Sequence, residues 1–377
     1  MSESQAPYGR IVVKIGSSTL TDENGRIDHA FIRSLASQVK AIRDELGSEL
    51  LIVTSGAIAS GLEALGLGRT RPSDLPSLQA AAAVGQLQLG QDYVLAFAEH
   101  GIMLGQVLLT RFDTVNRSSY LHARETLERL LELGVVPLIN ENDTVAVDEI
   151  RFGDNDTLAA QVAILVKADL VVMLSDIEGL YTADPRRDED ARLLDSIGSL
   201  TQEILEAAGS AGTLRGSGGM VTKLEAARLC MAAGIPVVIC SGHQPEAVVA
   251  VAKGESLGTR FFTDAAHQVS ARKLWSALSG QVMGSVYIDA GAERALRERG
   301  SSLLPVGIRR IEGDFEAGAA LNIRNLDGLV IGRGIANHGS AALAKAAGQS
   351  TQRGCGGPSA PSSEQVAIHR DQLVVFY

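Results

Sequence analysis

The sequence predicts an α/β protein: an open, mostly parallel sheet with helices on both faces, followed by a small C-terminal β-barrel. Over the first two-thirds of the chain, short apolar runs alternate with longer helical patterns, as in a parallel sheet buried on both faces. Beyond about residue 265, short segments are separated by Gly, Asp and Asn turns, which favours a small barrel. A chain of 377 residues also favours two domains over one.

The elements of the first domain follow from the alternation of β-branched runs and helical patterns. We predict strands at Arg10–Ile15, Leu50–Val53, Met103–Leu109, Val135–Ile139, Leu170–Leu174 and Pro236–Cys240. We predict helices at Ile32–Leu46, Ser77–Glu99, Arg117–Leu133, Thr157–Val166 and Lys223–Ala233. Gly134 and Gly234 each precede a strand, where a glycine ends the preceding helix at little conformational cost. In the second domain we predict strands at Gln281–Ile288, Gly307–Glu312, Ala320–Asn325 and Leu329–Ile335.

Composition argues against several classes of protein. The net charge of −10 disfavours a nucleic-acid surface along the whole chain. Three cysteines without a CxxC spacing disfavour a disulfide framework or a zinc site. A strand begins almost at the N-terminus and no apolar run reaches the length of a membrane span. We therefore expect a cytoplasmic protein without a membrane segment.

A glycine-rich segment, Gly216-Ser217-Gly218-Gly219, leads into a predicted helix that contains Lys223. Glycines let backbone amides approach a ligand closely, and the N-terminus of a helix attracts anions. Lys223 adds a full positive charge beside that position. The segment favours a nucleotide phosphate, but by itself it leaves a plain flexible turn open as an alternative.

Five further polar segments are expected at the edge of the sheet where ligands bind in open parallel sheets. They are Lys14–Ser18, Thr54–Ala59, Asn140–Asp143, Gly153–Asp156 and Ser175–Pro185. Taken singly, each has an ordinary structural explanation as a surface lysine, a helix cap or a solvated loop. Their shared location predicts one phosphate-binding site formed by all of them together with the glycine-rich segment.

Six segments within residues 1–263 resemble the amino acid kinase family, which phosphorylates carboxylates and carbamate on an open parallel sheet. They are VVKIGSS, IVTSGAIASG, VVPLINENDTVA, GDNDTLAA, LSDIEGLYTADP and GSGGMVTK. Their order and spacing are most similar to those of members that phosphorylate the γ-carboxylate of glutamate. In the second domain, Ala292–Pro305 with the sequence RGSSLL looks like a PUA domain, and His369-Arg370-Asp371 resembles the C-terminal end of such kinases.

The resemblance implies a role for each matching residue. Lys14 and Lys223 flank the transferring γ-phosphoryl group, and Asp156 holds the two lysines in place. Asp154 supports the site or a metal-bound water. The implied glutamate-binding residues are Ser55, Asp143 and Asn155. The implied ATP-binding residues are Lys14, Ser175, Asp176, Ser217, Gly218, Gly219, Met220, Val221, Thr222 and Lys223. No residue is assigned as a metal ligand.

The resemblance also implies the reaction and its partners. ATP is the co-substrate with Mg²⁺, L-glutamate is the acceptor, and the product is L-glutamyl 5-phosphate, the first intermediate of proline biosynthesis. A carboxylate is already a nucleophile at neutral pH, so catalysis needs alignment and charge stabilisation rather than a base. None of the seven histidines falls in a motif, which agrees with this. Further expected partners are proline as a feedback inhibitor, a second copy in a dimer or tetramer, and the next pathway enzyme, to which the labile product is handed over.

Two alternatives remain open at this stage. The chain could phosphorylate another acceptor of the same family, such as aspartate or acetylglutamate, or it could be an RNA-binding protein through its PUA-like domain. Residues 278–357 contain nine Lys and Arg against seven Asp and Glu, a net charge of +2 that supports RNA binding only weakly. We divide the chain into a catalytic domain (1–263), a connector (264–279), a PUA-like domain (280–357) and a C-terminal tail (358–377).

Overall fold

The structure is a computed structural model of the 377-residue chain. It describes residues 8–67, 72–110, 113, 116–146, 155–185, 188–205, 219–263, 269, 273–274, 282–349 and 366–376. The chain forms two compact units, Met1–Thr263 and Asp264–Tyr377. No helix within the described ranges is long and apolar enough to cross a membrane.

The first unit is built around an eight-stranded sheet. Its strands are β1 (Arg10–Ile15), β2 (Glu49–Val53), β3 (Leu104–Leu109), β4 (Val136–Glu141), β5 (Leu170–Ser175), β6 (Ser196–Ile197), β7 (Val237–Ser241) and β8 (Thr259–Phe261). Their order across the sheet is β3-β4-β2-β1-β5-β7-β8-β6. All neighbours are parallel except β7 and β8, which run antiparallel. The parallel arrangement predicted from the apolar strands is therefore confirmed, with one reversed pair near an edge.

The helices of the first unit connect these strands. They are α1 (Ser17–Leu20), α2 (His29–Leu46), α3 (Ala57–Ala64), α4 (Leu75–Ala98), α5 (Arg117–Glu132), α6 (Asn155–Val166), α7 (Met220–Ala232) and α8 (Ala247–Ala252). Side chains of Asp28, Asp74 and Asn116 accept backbone N–H groups at the starts of α2, α4 and α5, which satisfies donors that a helix N-terminus leaves free. Gly134 and Gly234 have φ of 73° and 75° just after α5 and α7, as predicted for helix ends.

Helices α3 and α4 cross with their backbones in close contact. A Cβ atom added at Gly61 would lie 1.8 Å from the carbonyl oxygen of Ala81, and one at Gly85 would lie 1.8 Å from that of Ala57. Any side chain at either position would push the helices apart. The two glycines therefore fix the distance between α4 and the start of α3.

Within the described residues, the second unit is a five-stranded mixed sheet with two short α-helices and one 3₁₀ turn. Its elements are β9 (Val282–Ile288), α9 (Ala290–Arg299), a 3₁₀ turn (Pro305–Gly307), β10 (Ile308–Glu312), β11 (Ala320–Arg324), β12 (Val330–Ala336), α10 (Ser340–Ala346) and β13 (Ile368–Val375). The strand order is β10-β9-β11-β12-β13. A separate buried cluster that includes Val286, Leu321 and Leu373 forms its core.

Most predicted elements agree with the structure to within three residues, and two differences matter. Strand β4 continues through Asn140 and Glu141, which the sequence assigns to a loop, because these residues pair with Leu108 and Leu109 of β3. The segment assigned to a C-terminal tail contains β13, which pairs with β12. The sequence pattern predicts no strand there.

Candidate active site

Three charged residues from the polar segments singled out in the sequence meet at the carboxyl edge of the large sheet. Lys14 lies near the end of β1, between Val53 of β2 and Met173 of β5. Asp156 is in the first turn of α6, and Lys223 is in the first turn of α7. These elements are far apart in sequence, and the parallel topology brings their ends together.

Lys14, Asp156 and Lys223 form a buried ion cluster. The Nζ atom of Lys14 lies 2.5 Å from Oδ1 of Asp156, and the Nζ atom of Lys223 lies 3.3 Å from Oδ2. The side chain of Asp156 has no solvent exposure, and those of the two lysines are 4% and 7% exposed. The carboxylate of Asp156 thus faces the ammonium groups of both Lys14 and Lys223.

Burial alone would raise the pKa of Asp156, because a carboxylate loses hydration in a protein interior. The charges of Lys14 and Lys223, with hydrogen bonds from Lys14 and Thr222, outweigh that cost and hold the pKa of Asp156 well below its ordinary value of 3.8. Asp156 is therefore ionised at neutral pH. It serves as an anchor for two cations, and a group with so low a pKa is a poor proton acceptor.

Thr222 supplies a third contact to the same carboxylate. Its Oγ1 lies 2.9 Å from Oδ2 of Asp156 and 2.8 Å from the carbonyl oxygen of Gly219. Thr222 is predicted from the sequence to bind ATP, and in the structure its hydroxyl group contacts Asp156. Lys14 therefore holds one carboxylate oxygen closely, while Lys223 shares the other oxygen with a hydroxyl group at a longer distance.

Next to the ion cluster, Asn155 forms the centre of a neutral hydrogen-bond network. Its Nδ2 donates to the carbonyl oxygen of Thr54 at 2.5 Å, to Oδ1 of Asn140 at 2.7 Å and, at 3.3 Å, to Oγ of Ser55. Asn155 and Ser55 are 5% and 7% exposed. The structure thus brings together two of the three predicted glutamate-binding residues, Ser55 and Asn155.

Two residues of α4 extend this network. Asn140 donates through Nδ2 to Oε1 of Gln86 at 2.6 Å, and the hydroxyl groups of Thr54 and Tyr93 lie 3.0 Å apart. Burial raises the pKa of Tyr93 well above its ordinary value, so its hydroxyl group stays neutral. Neither Gln86 nor Tyr93 was identified from the sequence, since both lie inside a long helix without a motif. Asn140 was quoted in a motif but not assigned to the site.

Gly56 is the glycine that the loop after β2 requires. Its φ is 96°, and an added Cβ would lie 2.9 Å from Cδ2 of Leu20. This left-handed residue turns the chain from Ser55 directly into α3. The turn keeps the Ser55 hydroxyl group facing Asn155.

The remaining predicted site residues lie in turns and at the ends of strands and helices, or they lie outside the described residues. Asp143 is in the turn that follows β4 and is partly exposed. Ser175 is buried at the end of β5, and its Oγ donates to Oδ1 of the exposed Asp176 at 3.2 Å. Gly219, Met220 and Val221 form the start of α7. Asp154, Ser217 and Gly218 lie outside the described residues.

Comparison with known proteins agrees with this architecture. Residues 9–241 match the model of the amino acid kinase family, and residues 284–353 match that of the PUA domain. The glutamate 5-kinase of Moorella thermoacetica is 46% identical over 371 residues, covering 97% of this chain and 96% of that protein. The glutamate 5-kinase of Chromohalobacter salexigens is 46% identical and covers all of both chains.

Among solved structures, the UMP kinase of Bacillus anthracis aligns with 69% of this chain and 98% of its own, at 16% identity and a TM-score of 0.47. The family models and the full-length relatives show the family of this chain. The match to the first of these models spans the whole buried ion cluster and the amide network around Asn155. The chain therefore belongs to the amino acid kinase family and carries a C-terminal PUA domain.

Proposed function

We propose that the protein is an ATP-dependent kinase that phosphorylates the γ-carboxylate of L-glutamate, giving L-glutamyl 5-phosphate for proline biosynthesis. The observation that carries this is the buried cluster of Lys14, Asp156 and Lys223, found in a chain about half identical to glutamate 5-kinases over nearly its full length. Two ammonium groups held in place by one carboxylate are suited to stabilise the charge that develops on a transferring phosphoryl group.

The lysines would act by charge and position. The γ-carboxylate of glutamate attacks the γ-phosphorus of ATP, the bond between that phosphorus and the bridging oxygen breaks, and ADP leaves. No proton has to be removed from the nucleophile, so no base is needed. Lys14 and Lys223 would contact the oxygens of the γ-phosphoryl group, and Asp156 would hold both ammonium groups in place before ATP arrives.

Glutamate would bind at the neutral side of the site. Ser55 and Asn155 offer a hydroxyl group and an amide beside the ion cluster, and Asp143, in the turn that follows β4, offers a carboxylate for the α-ammonium group. Such charged contacts orient a substrate more strongly than neutral ones. Together these groups would direct the γ-carboxylate of glutamate toward Lys14 and Lys223.

ATP would bind along Ser175, Asp176 and the segment from Ser217 to Lys223, in which the N-terminus of α7 faces the phosphates. We propose that Mg²⁺ enters with ATP and is held mainly by its phosphates and by waters, as is usual in kinase sites. Within the described ranges, no three His, Cys, Asp or Glu side chains are grouped as a metal site.

The partners beyond the two substrates are also proposals. An oligomer is supported by apolar side chains on the outer face of α4, where Val84, Leu87, Val94 and Leu95 are exposed, Leu87 by 78%. Proline as an inhibitor and transfer of the labile product to the next enzyme are inferred from the place of this reaction in proline biosynthesis. A cytoplasmic location is proposed because ATP, the phosphoryl donor, is an intracellular metabolite.

RNA binding through the second unit is the weaker alternative. Three arginines of this unit pair with carboxylates of the same unit: Arg297 with Glu293, Arg309 with Asp289 and Arg310 with Glu312, at 2.6 to 2.9 Å. Binding a phosphate backbone would require these pairs to open. A filter-binding assay at physiological salt tests this alternative.

The test of the main proposal is a screen of ADP formation from ATP and Mg²⁺ with glutamate, aspartate, acetylglutamate and UMP as acceptors. We expect turnover with glutamate well above that with the other three. Aspartate or acetylglutamate as the preferred acceptor would retain the kinase chemistry and overturn the assigned substrate. A protein that binds RNA and turns over none of the four acceptors would overturn the kinase assignment itself.

A further inference from the structure

Gln86 of α4 contacts the amide network through the side chain of Asn140. Its Oε1 accepts a hydrogen bond of 2.6 Å from Nδ2 of Asn140. Oδ1 of Asn140 in turn accepts from Nδ2 of Asn155 at 2.7 Å and from the backbone N–H of Glu141 at 2.9 Å. The chain of contacts runs from α4 through β4 to α6.

The direction of these bonds requires an acceptor at position 86. The side-chain oxygen Oδ1 of Asn140 must face Asn155, because its two neighbours there, Nδ2 of Asn155 and the backbone N–H of Glu141, are both donors. The NH₂ group of Asn140 then points the other way, toward Gln86. If the amide of Asn140 rotated by half a turn, its NH₂ group would face the two donors. Gln86 Oε1 therefore holds Asn140 in the orientation that Asn155 needs.

The nitrogen of the Gln86 side-chain amide makes no such contact. Its Nε2 is shielded from solvent and has no hydrogen-bond partner within the described ranges. A buried amide donor without a partner is costly. If Gln86 only filled space, an apolar side chain would fill it without the cost of a buried amide that lacks a partner. We therefore infer that the oxygen of the amide, which accepts from Asn140, is the functional part of Gln86.

The position of Gln86 is itself fixed by the packing of α4. Gly85, the preceding residue, lies at the close crossing with α3, where an added Cβ would lie 1.8 Å from the carbonyl oxygen of Ala57. Two turns further along α4, the Tyr93 hydroxyl group contacts Thr54. The backbone around Gln86 therefore has little freedom to shift relative to Ser55 and the start of α3.

We propose that Gln86 is a positioning residue for the acceptor substrate: it orients Asn140, and through Asn140 it orients the Asn155 amide that contacts the substrate. This inference rests on the proposed function, since it concerns the substrate side of the same site. Gln86 itself does not touch the reacting atoms. Its loss should weaken binding of the acceptor while leaving ATP binding and the ion cluster unchanged.

The first test is Gln86→Met, which keeps the length of the side chain and removes the acceptor. Losing one neutral hydrogen bond should raise the KM for glutamate roughly fivefold to tenfold, with kcat and the KM for ATP changed by less than about twofold. The matched control is Gln88→Met, an exposed glutamine on the same helix, for which all three constants should stay at the level of the unmodified protein. An unchanged KM for glutamate in Gln86→Met would overturn the proposal.

A double-mutant cycle separates positioning from general loosening of the fold. If Gln86 acts through Asn140, then Gln86→Met combined with Asn140→Ala should have the same KM for glutamate as Asn140→Ala alone, within about twofold. If the double variant instead raises the KM for glutamate by the product of the two separate effects, the proposal is overturned. If a variant is inactive, calorimetry gives the dissociation constant for glutamate, and the same cycle is calculated from these constants. If the unmodified protein prefers another acceptor of the screen, the proposed function fails and the cycle is measured with that acceptor.

Discussion

The two halves of the active site are held together by different forces, although they meet at adjacent residues of α6. On the side of Asp156, two ion pairs join full charges, with Lys14 at 2.5 Å and Lys223 at 3.3 Å, and the Thr222 hydroxyl group adds a hydrogen bond. On the side of Asn155, the contacts are neutral hydrogen bonds to Thr54, Ser55 and Asn140. We propose that the first half binds the phosphate and that the second half orients the amino acid.

This difference predicts that the two halves of the site affect different kinetic constants. Charges in a buried site act strongly on the charge that develops in the transition state, so the Asp156 half should control kcat. Neutral hydrogen bonds discriminate shape and orientation at about 1 kcal/mol each, so the Asn155 half should control the KM for the acceptor. Substitutions in the two halves should therefore have effects that can be told apart in steady-state kinetics.

The largest effect is expected for Lys14→Ala and Lys223→Ala. Removal of either cation should lower kcat by roughly a hundredfold or more. Lys14→Ala should also lower the melting temperature more than Lys223→Ala, because Lys14 makes the shorter contact with Asp156. Lys40→Ala, which removes an exposed surface lysine paired with Asp44, is the control. Near-normal turnover by either variant would exclude that lysine from the chemistry.

Asp143→Ala is expected to act on the acceptor alone. Loss of a carboxylate that binds an ammonium group costs about 1.5–3 kcal/mol, or about one to two decades in affinity. The KM for glutamate should rise by that factor and the KM for ATP should stay unchanged. Steady-state kinetics with each substrate varied in turn provides the measurement. Equal weakening of both substrates would contradict the assignment of Asp143 to glutamate.

Gly85→Ala tests whether the hydrogen-bond network around Asn155 depends on the close packing of α4 against α3. The added methyl group would overlap the carbonyl oxygen of Ala57, so the helices must separate, at a cost of about 1–3 kcal/mol in unfolding free energy. We expect a lower melting temperature together with a higher KM for glutamate. Gly90→Ala on the same helix is the control, because there the added Cβ would come no closer than 3.5 Å to Gln106. Equal behaviour of the two variants would exclude a role for the crossing.

The smallest effect is expected from removing the second unit. The buried clusters of the two units share no residue, and every predicted site residue lies within 1–263. We propose that residues 1–263 retain glutamate-dependent ADP formation within about threefold of the full chain, since each unit buries its own core. Expression of 1–263 and assay with and without proline give the measurement. A folded, soluble fragment without activity would show that the site needs the second unit.

The part of the site that sequence reasoning found consists of residues at the ends of predicted strands and helices. Lys14, Ser55, Asn155, Asp156 and Lys223 all stand where an apolar strand stops or a helix starts, and the geometry of parallel sheets brings such positions to one edge. Gln86 and Tyr93 were missed for the opposite reason. They lie within α4, and their contacts with Asn140 and Thr54 bridge 54 and 39 residues of sequence.

The sequence by itself determined the alternation of strands and helices, the glycine-bearing turns and the order of the polar motifs, because these depend on local backbone preferences and hydrophobic periodicity. Only the tertiary structure decided that Asn140 belongs to a strand, that residues 368–375 complete the second sheet, and that Thr222 turns its hydroxyl group toward Asp156. Those features depend on pairing and side-chain direction between distant segments, which no local pattern encodes.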